Sequence, residues 1–193
     1  MLRAMIPGQK LSVHNMAVLM IVLSDNIATT VLVESLGPKN INASLKAWKL
    51  LDSDFHDGLP GGPTAAEMKD PVSSPRDFNS LLKRIQRREI LTPKSCDEIV
   101  RILRAQRVND MLPRYIPVGE DWGQAATWIA NKTGYGRCRV DVGIIRSAAL
   151  TMSLALFFRP DKPPPHRLKS MSDYPPVLAA ARGCKAVYDH FAK

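Results

Sequence analysis

Solid apolar stretches alternate with short polar breaks along the first third of the chain. The longest unbroken apolar run, Met16 to Leu23, has eight residues, and Ser12 is placed to cap a helix starting near Val13. A run that is apolar on every side predicts a helix buried all round. Eight residues fall far short of the roughly twenty needed for a membrane span, so no span is expected. Ser24-Asp25-Asn26 then interrupts with three polar side chains. Apolar character resumes at Ile27, Ala28, Val31, Leu32 and Leu36 and stops at Gly37-Pro38, a strong helix end. Asn40 is expected to cap a further helix whose Ile41, Leu45 and Trp48 share one face. From Leu51 to Ser73 the period collapses, and Gly and Pro cluster at 58–63, which predicts a loop.

Ser74-Pro75-Arg76-Asp77 is a helix start: a capping hydroxyl, a proline in the first turn and an acid near the positive dipole end. Phe78, Leu81, Leu82 and Ile85 form its apolar stripe. Thr92-Pro93 opens another helix in the same way, with Cys96, Ile99, Ile102 and Leu103 inward. After the proline-rich turn Leu112–Pro117 the texture changes to short β-branched runs. Ala126–Lys132, Val140–Ser147 and Leu150–Arg159 predict three successive antiparallel strands. Pro160–Pro165 reads as a stiff connection, and Val177–Phe191 as a closing helix with Val177, Ala180, Ala181, Cys184, Val187, Tyr188 and Phe191 on one side. Helices first and a meander afterwards predict an α+β fold with helices laid on an antiparallel sheet. The expectation is one domain over 1–193, helical over about 10–125, with strands and closing helix over about 126–193.

Composition narrows the function classes. With 45% hydrophobic and 23% charged residues, wholesale disorder is excluded. Twenty-seven Lys and Arg face 18 acids, giving +9, and eight of these cations against three acids lie between Lys83 and Arg107. No aromatic residue lies between Phe78 and Tyr115, so a base-stacking platform is absent there and no nucleic-acid partner is expected. Three cysteines, Cys96, Cys138 and Cys184, have no CxxC spacing and read as buried apolar thiols. His14, His56, His166 and His190 show no ligand spacing, so no metal is expected. Asp52–Gly58 fails as a calcium loop because Asp57 and Pro63 stand where Gly and Glu are needed. Gly58–Gly62 lacks the trailing Gly-Lys-Ser/Thr of a phosphate loop, and the opening MLRAMIPGQK reads as no export signal.

Two short motifs carry chemistry. Ser24-Asp25-Asn26 would deliver three polar side chains into an apolar centre, which is costly unless they are hydrogen-bonded or face a cleft. Lys132-Thr133-Gly134, placed at the end of the first strand, offers an ammonium and a hydroxyl that can hold a carboxylate. The missing Cβ at Gly134 would let a substrate lie against the backbone. SDN followed by KTG, in this order, resembles the motif set of class A β-lactamases and penicillin-binding proteins. The resemblance extends through MAVLMIVLSDNIATTVLVESLG, SSPRDFNSLLKRI, LPRYIP and WIANKTGYGRCRVDVGII. It implies a β-lactamase-like serine hydrolase, working without metal or organic cofactor on a β-lactam or related amide through an acyl-serine.

The resemblance also implies roles. Ser24 would relay a proton to the departing ring nitrogen, hydrogen-bonded to Lys132. Asn26 would hold the substrate's side-chain amide, and Asp25 would pin the turn. Lys132 and Thr133 would bind the substrate carboxylate, and the Tyr135 backbone N–H would be one of two oxyanion donors. The family's nucleophile, the Ser of an SxxK motif ahead of SDN, has no counterpart among the 23 residues before Ser24. Ser80-Leu81-Leu82-Lys83 matches the pattern but falls after SDN, inside an amphipathic helix, and reads as coincidence. No Glu stands in Asp52–Gly62, the stretch ahead of Ser74 where the general base is expected. Asp54, Asp57 and Glu67 are poor substitutes. The expectation is therefore the C-terminal two-thirds of such an enzyme, without its first strands and nucleophile helix, and inactive or incomplete as it stands. The alternative is a non-catalytic remnant that binds penicillin or a peptidoglycan-like ligand. The family implies a periplasmic or secreted location. An uncovered sheet edge would invite self-association.

Overall fold

Local capping sets the first helices. In a computed structural model that describes residues 2, 8–55, 71–119, 127–161 and 171–192, α1 (Val13–Val22) starts where Ser12 Oγ accepts the Asn15 N–H at 3.1 Å. Asp25 does the same for α2 (Asn26–Leu36), its Oδ1 accepting the Ala28 N–H at 3.0 Å. The chain turns at Gly37, where φ is +78°, a conformation glycine adopts without a Cβ clash. Pro38 then opens α3 (Pro38–Ala47). Asn40 does not cap this helix. It lies in the first turn and its Nδ2 donates back to Leu36 O at 2.8 Å, because proline already fits the first helical position two residues earlier.

The chain divides into two compact units, Met1–Leu81 and Leu82–Lys193. In the first, Met16 of α1 packs with Ala28 and Leu32 of α2, and Leu11, Ala17, Leu19 and Met20 lie against them. The expectation that α1 is buried all round does not hold. Only Met16 is buried, the following residues are half-covered, and Val13 is 73% exposed. An apolar sequence supplies hydrophobic surface on every side, but the main partner of α1 within its unit is α2, and one neighbour covers one stripe. Asp77, in the first turn of α4 (Pro75–Gln86), is buried and organises the rest of this unit. Its Oδ2 accepts from Asp52 N at 2.9 Å and Ser53 Oγ at 2.8 Å, while Ser74 Oγ accepts the Asp77 N–H at 3.1 Å.

In the second unit, Thr92 caps α5 (Pro93–Arg104), its Oγ1 accepting the Ser95 N–H at 3.2 Å. β1 (Trp128–Tyr135), β2 (Arg139–Arg146) and β3 (Thr151–Phe158) form an antiparallel sheet in the order β1-β2-β3. After the 3-10 turn Met171–Asp173, α6 (Pro175–Phe191) closes the described chain. Ile129 and Ile145, paired across β1 and β2, pack with Leu112, Ile116, Cys184 and Tyr188, so α6 and the segment after α5 cover that sheet face. α5 packs along β1.

Three expectations are corrected here. β1 runs on through Tyr135, so Lys132-Thr133-Gly134 lies within the strand and not at its end. The ladder simply continues, pairing Gly134 with Val140 and Tyr135 with Arg139. Cys138 is exposed, because it sits in the turn joining β1 to β2. Val187 and Phe191 are exposed, the latter by 64%, since only Val177, Ala181, Cys184 and Tyr188 of α6 reach the core. Residue 126, the loop at 58–63 and most of the proline connection lie outside the described residues.

Candidate active site

The first motif sits on a tight turn between α1 and α2. Ser24 adopts φ +50°, the left-handed region that a residue with a Cβ enters at a cost. The Asp25 N–H donates to Leu19 O at 3.2 Å, tying the turn to α1. The side chain of Asp25 is 7% exposed and accepts from Ala28 N and from Leu2 N, both at 3.0 Å. Burial alone would raise its pKa. The hydrogen bonds it accepts, these two among them, outweigh that and hold it down to about 2. Ser24 and Asn26 are exposed, so the three polar side chains do not all enter an apolar centre. Only the capping residue turns inward, because its carboxylate satisfies N–H groups that no helical carbonyl can reach.

The second motif lies on β1, an edge strand among the described strands. Thr133 is buried, Lys132 and Gly134 are half-buried, and Tyr135 is exposed. Lys132 Nζ donates to Thr133 O at 2.5 Å. Burial pushes the Lys132 pKa down, and the carboxyl group of Asp141 works in the opposite direction. Alternation places Asn131, Thr133 and Tyr135 on one face of the strand and Lys132 and Gly134 on the other.

Behind Thr133 lies a polar cluster that sequence reasoning missed. Asp141 of β2, opposite Thr133 in the ladder, is fully buried. Its Oδ2 accepts the Leu112 N–H at 2.8 Å and its Oδ1 accepts from Asn131 Nδ2 at 3.0 Å. Burial pushes its pKa up to about 7 despite both hydrogen bonds, with the Asp110 carboxylate adding to the rise and Lys132 opposing it. Burial and then the Asp141 charge push the Cys184 thiol up to about 12. The Tyr135 hydroxyl donates to Asp110 Oδ2, and burial followed by that bond raises its pKa. Arg139 lies 5.3 Å from the Tyr135 ring centroid and donates to Gly136 O. Asp110 Oδ1 and Arg139 Nε are buried with no hydrogen-bond partner. The available signal was an aspartate amid strand-forming residues in Arg139-Val140-Asp141-Val142-Gly143, where an acid on the inward face needs donors.

Ser24, Asp25 and Asn26 thus belong to the first unit and Lys132, Thr133, Gly134 and Tyr135 to the second. Ser80 and Lys83 lie on α4, Lys83 exposed in its last turn. Asp57, Glu67, His56 and His166 lie outside the described residues, and His14 and His190 are exposed. Among the described residues no group of His, Cys, Asp and Glu could hold a metal ion, and no helix is long and apolar enough to cross a membrane.

An antiparallel sheet flanked by helices, with SDN on a helix–helix turn and KTG on an edge strand, defines an α+β fold of the β-lactamase type. The chain belongs to the beta-lactamase enzyme family, whose family model, Beta-lactamase2, matches residues 1–191. Among solved structures, a beta-lactamase from Sphaerobacter thermophilus is similar with a TM-score of 0.80 at 22% identity, over 97% of this chain and 66% of that one. PBP-A is similar with a TM-score of 0.75 at 27% identity, over 99% of this chain and 65% of that one. A point mutant of PBP-A, solved as an acyl-enzyme complex with penicillin G, matches with a TM-score of 0.75 at 26% identity, over 99% of this chain and 66% of that one. The chain therefore spans just under two thirds of the length of these relatives. A search of curated proteins found no match.

Proposed function

We propose that this chain carries the SDN and KTG parts of a penicillin-recognising serine hydrolase site. Lys132 and Thr133 hold the carboxylate of a β-lactam or related amide, and Gly134 leaves the strand open to it. Ser24 relays a proton to the departing ring nitrogen, and Asn26 holds the substrate's side-chain amide. The Tyr135 N–H is one oxyanion donor, and Asp25 shapes the turn that presents Ser24. The observation carrying this reading is the sheet edge, where half-buried Lys132 and buried Thr133 are successive residues on a strand that has one partner among the described strands of a beta-lactamase-family chain. A lysine partly withdrawn from water acts on an anion more strongly than a solvated one. The PBP-A relative's complex with penicillin G supports the β-lactam class. The place of action is the periplasm or the cell exterior.

The acyl-serine step has no assigned nucleophile within residues 1–193, since no SxxK precedes Ser24 and Ser80-Leu81-Leu82-Lys83 lies on α4. A polypeptide of these residues is expected to recognise penicillin with little or no turnover. Labelled penicillin and nitrocefin applied to the purified chain test both halves of this reading. Reversible retention that Lys132→Ala abolishes supports it. Nitrocefin hydrolysis lost in Ser24→Ala and Lys132→Ala, or label that survives denaturation, would show a working nucleophile and overturn the inactive assignment. No retention at all would overturn the recognition assignment.

A further inference from the structure

The cations between Lys83 and Arg107 are not used by the site above, and the fold gathers several of them at one place. A cleft of about 390 Å³ lies in the second unit, between the end of α4, the side of α5 and one end of the sheet. Val100, Trp128 and buried Ile85 supply its apolar lining. Its rim carries Arg87 and Arg88, just beyond α4, and Arg146 at the end of β2, with Thr151 at the start of β3. Trp128, Arg146 and Thr151 occupy a single cross-strand row, so the ladder fixes their ring, guanidinium and hydroxyl about one strand spacing apart.

The charges here are unbalanced. Among the described residues Asp97 is the one carboxylate lining the cleft, and it pairs with Arg88 Nε at 2.9 Å. Arg87 reaches Glu89 only at 3.9 Å, and Arg146 makes no ion pair among the described residues. The Arg104 guanidinium stands 4.9 Å from the Trp128 ring centroid and adds to the positive field. Guanidinium groups grip phosphate through paired N–H donors, and a hydroxyl beside them supplies another. No aromatic residue lies in the basic stretch of sequence, but the fold brings Trp128 to it from 21 residues beyond Arg107. One ring in a cleft of this volume suits one flat group, where a strand of nucleic acid would need a row of stacking platforms.

We propose that this cleft binds a small phosphorylated aromatic ligand of mononucleotide size. The phosphate sits between Arg146, Arg88 and the Thr151 hydroxyl, and the flat ring lies on the apolar wall beside Trp128. None of these residues belongs to the SDN or KTG motifs, so the assignment stands apart from the proposed hydrolase site.

Isothermal titration of the 193-residue chain with adenosine 5′-monophosphate, inorganic phosphate and adenosine tests it. Saturable one-to-one binding of the monophosphate is expected, about tenfold or more tighter than either half-ligand. Arg146→Ala and Arg88→Ala, both at exposed positions, should each weaken it by about tenfold, while Arg182→Ala on α6 should leave it unchanged. Monophosphate binding no tighter than that of adenosine, or indifferent to both cleft substitutions, would overturn the site. A short single-stranded oligonucleotide that outcompetes the monophosphate would overturn the small-ligand assignment.

Discussion

Two aspartates of this chain show how little residue type alone decides. Asp25 and Asp141 are both withdrawn from water, yet hydrogen bonds hold the first at about 2 while burial lifts the second to about 7. The consequences for stability have opposite signs. Asp25 is depressed below its ordinary 3.8, so its contribution is present above about pH 4 and lost as pH falls through about 2. Asp141 is raised, so between about pH 4 and pH 7 the folded chain keeps a proton that the unfolded chain has released, and stability falls as pH rises across that window. Denaturant unfolding measured from pH 4 to pH 8 should show this decline, and Asp141→Ala should lack it. That variant also strands the Leu112 N–H and Asn131 Nδ2, at a cost of about 2–4 kcal/mol. Asp25→Ala, which removes a helix cap, should cost about 1 kcal/mol. The role of Asp25 as a cap was open to reading because capping involves neighbours three residues apart. The Asp141 cluster was not, because its donors come from Leu112 and Asn131, which only the folded sheet brings near.

At the scale of elements, Gly143 fixes how closely β1 and β2 approach. A Cβ there would lie 2.8 Å from Ala130 O and 2.9 Å from Asn131 Cβ, so backbone would have to move. Gly143→Ala should therefore destabilise by about 1–3 kcal/mol, as overpacking does. Gly134→Ala places its Cβ 3.5 Å from Val140 Cβ, an ordinary contact, and should cost well under that in thermal unfolding. Equal costs for the two would contradict the packing described for this strand pair. Helix starts at Ser12, Ser74 and Thr92 and all three strands were legible, because caps and period-two runs are local signals. The burial of α1 was not legible, since its eight-residue apolar run says what the helix could bury and not which neighbours cover it. The helix boundary at Gly37 went to a glycine–proline pair over an asparagine cap, a competition that residue preferences alone leave open.

For the whole molecule, the order of SDN and KTG was enough to point to the β-lactamase fold, which the family match and the solved relatives bear out. β1 and β3 are both edges of the described sheet, and β3 is half-covered along most of its length. Unpaired strand edges template association, so sizing chromatography at increasing concentration should show oligomers. A sharp monomer peak throughout would count against this. The +9 charge opposes such association through self-repulsion, so added salt should favour the oligomers. The proposed function assigns Ser24 and Lys132 to the same substrate, and it depends on their acting together. A double-mutant cycle of Ser24→Ala and Lys132→Ala on the binding of labelled penicillin G measures this directly. The expected result is a coupling above about 0.5 kcal/mol between the two substitutions. Strictly additive effects, or a wild-type chain that binds no penicillin, would contradict a shared site.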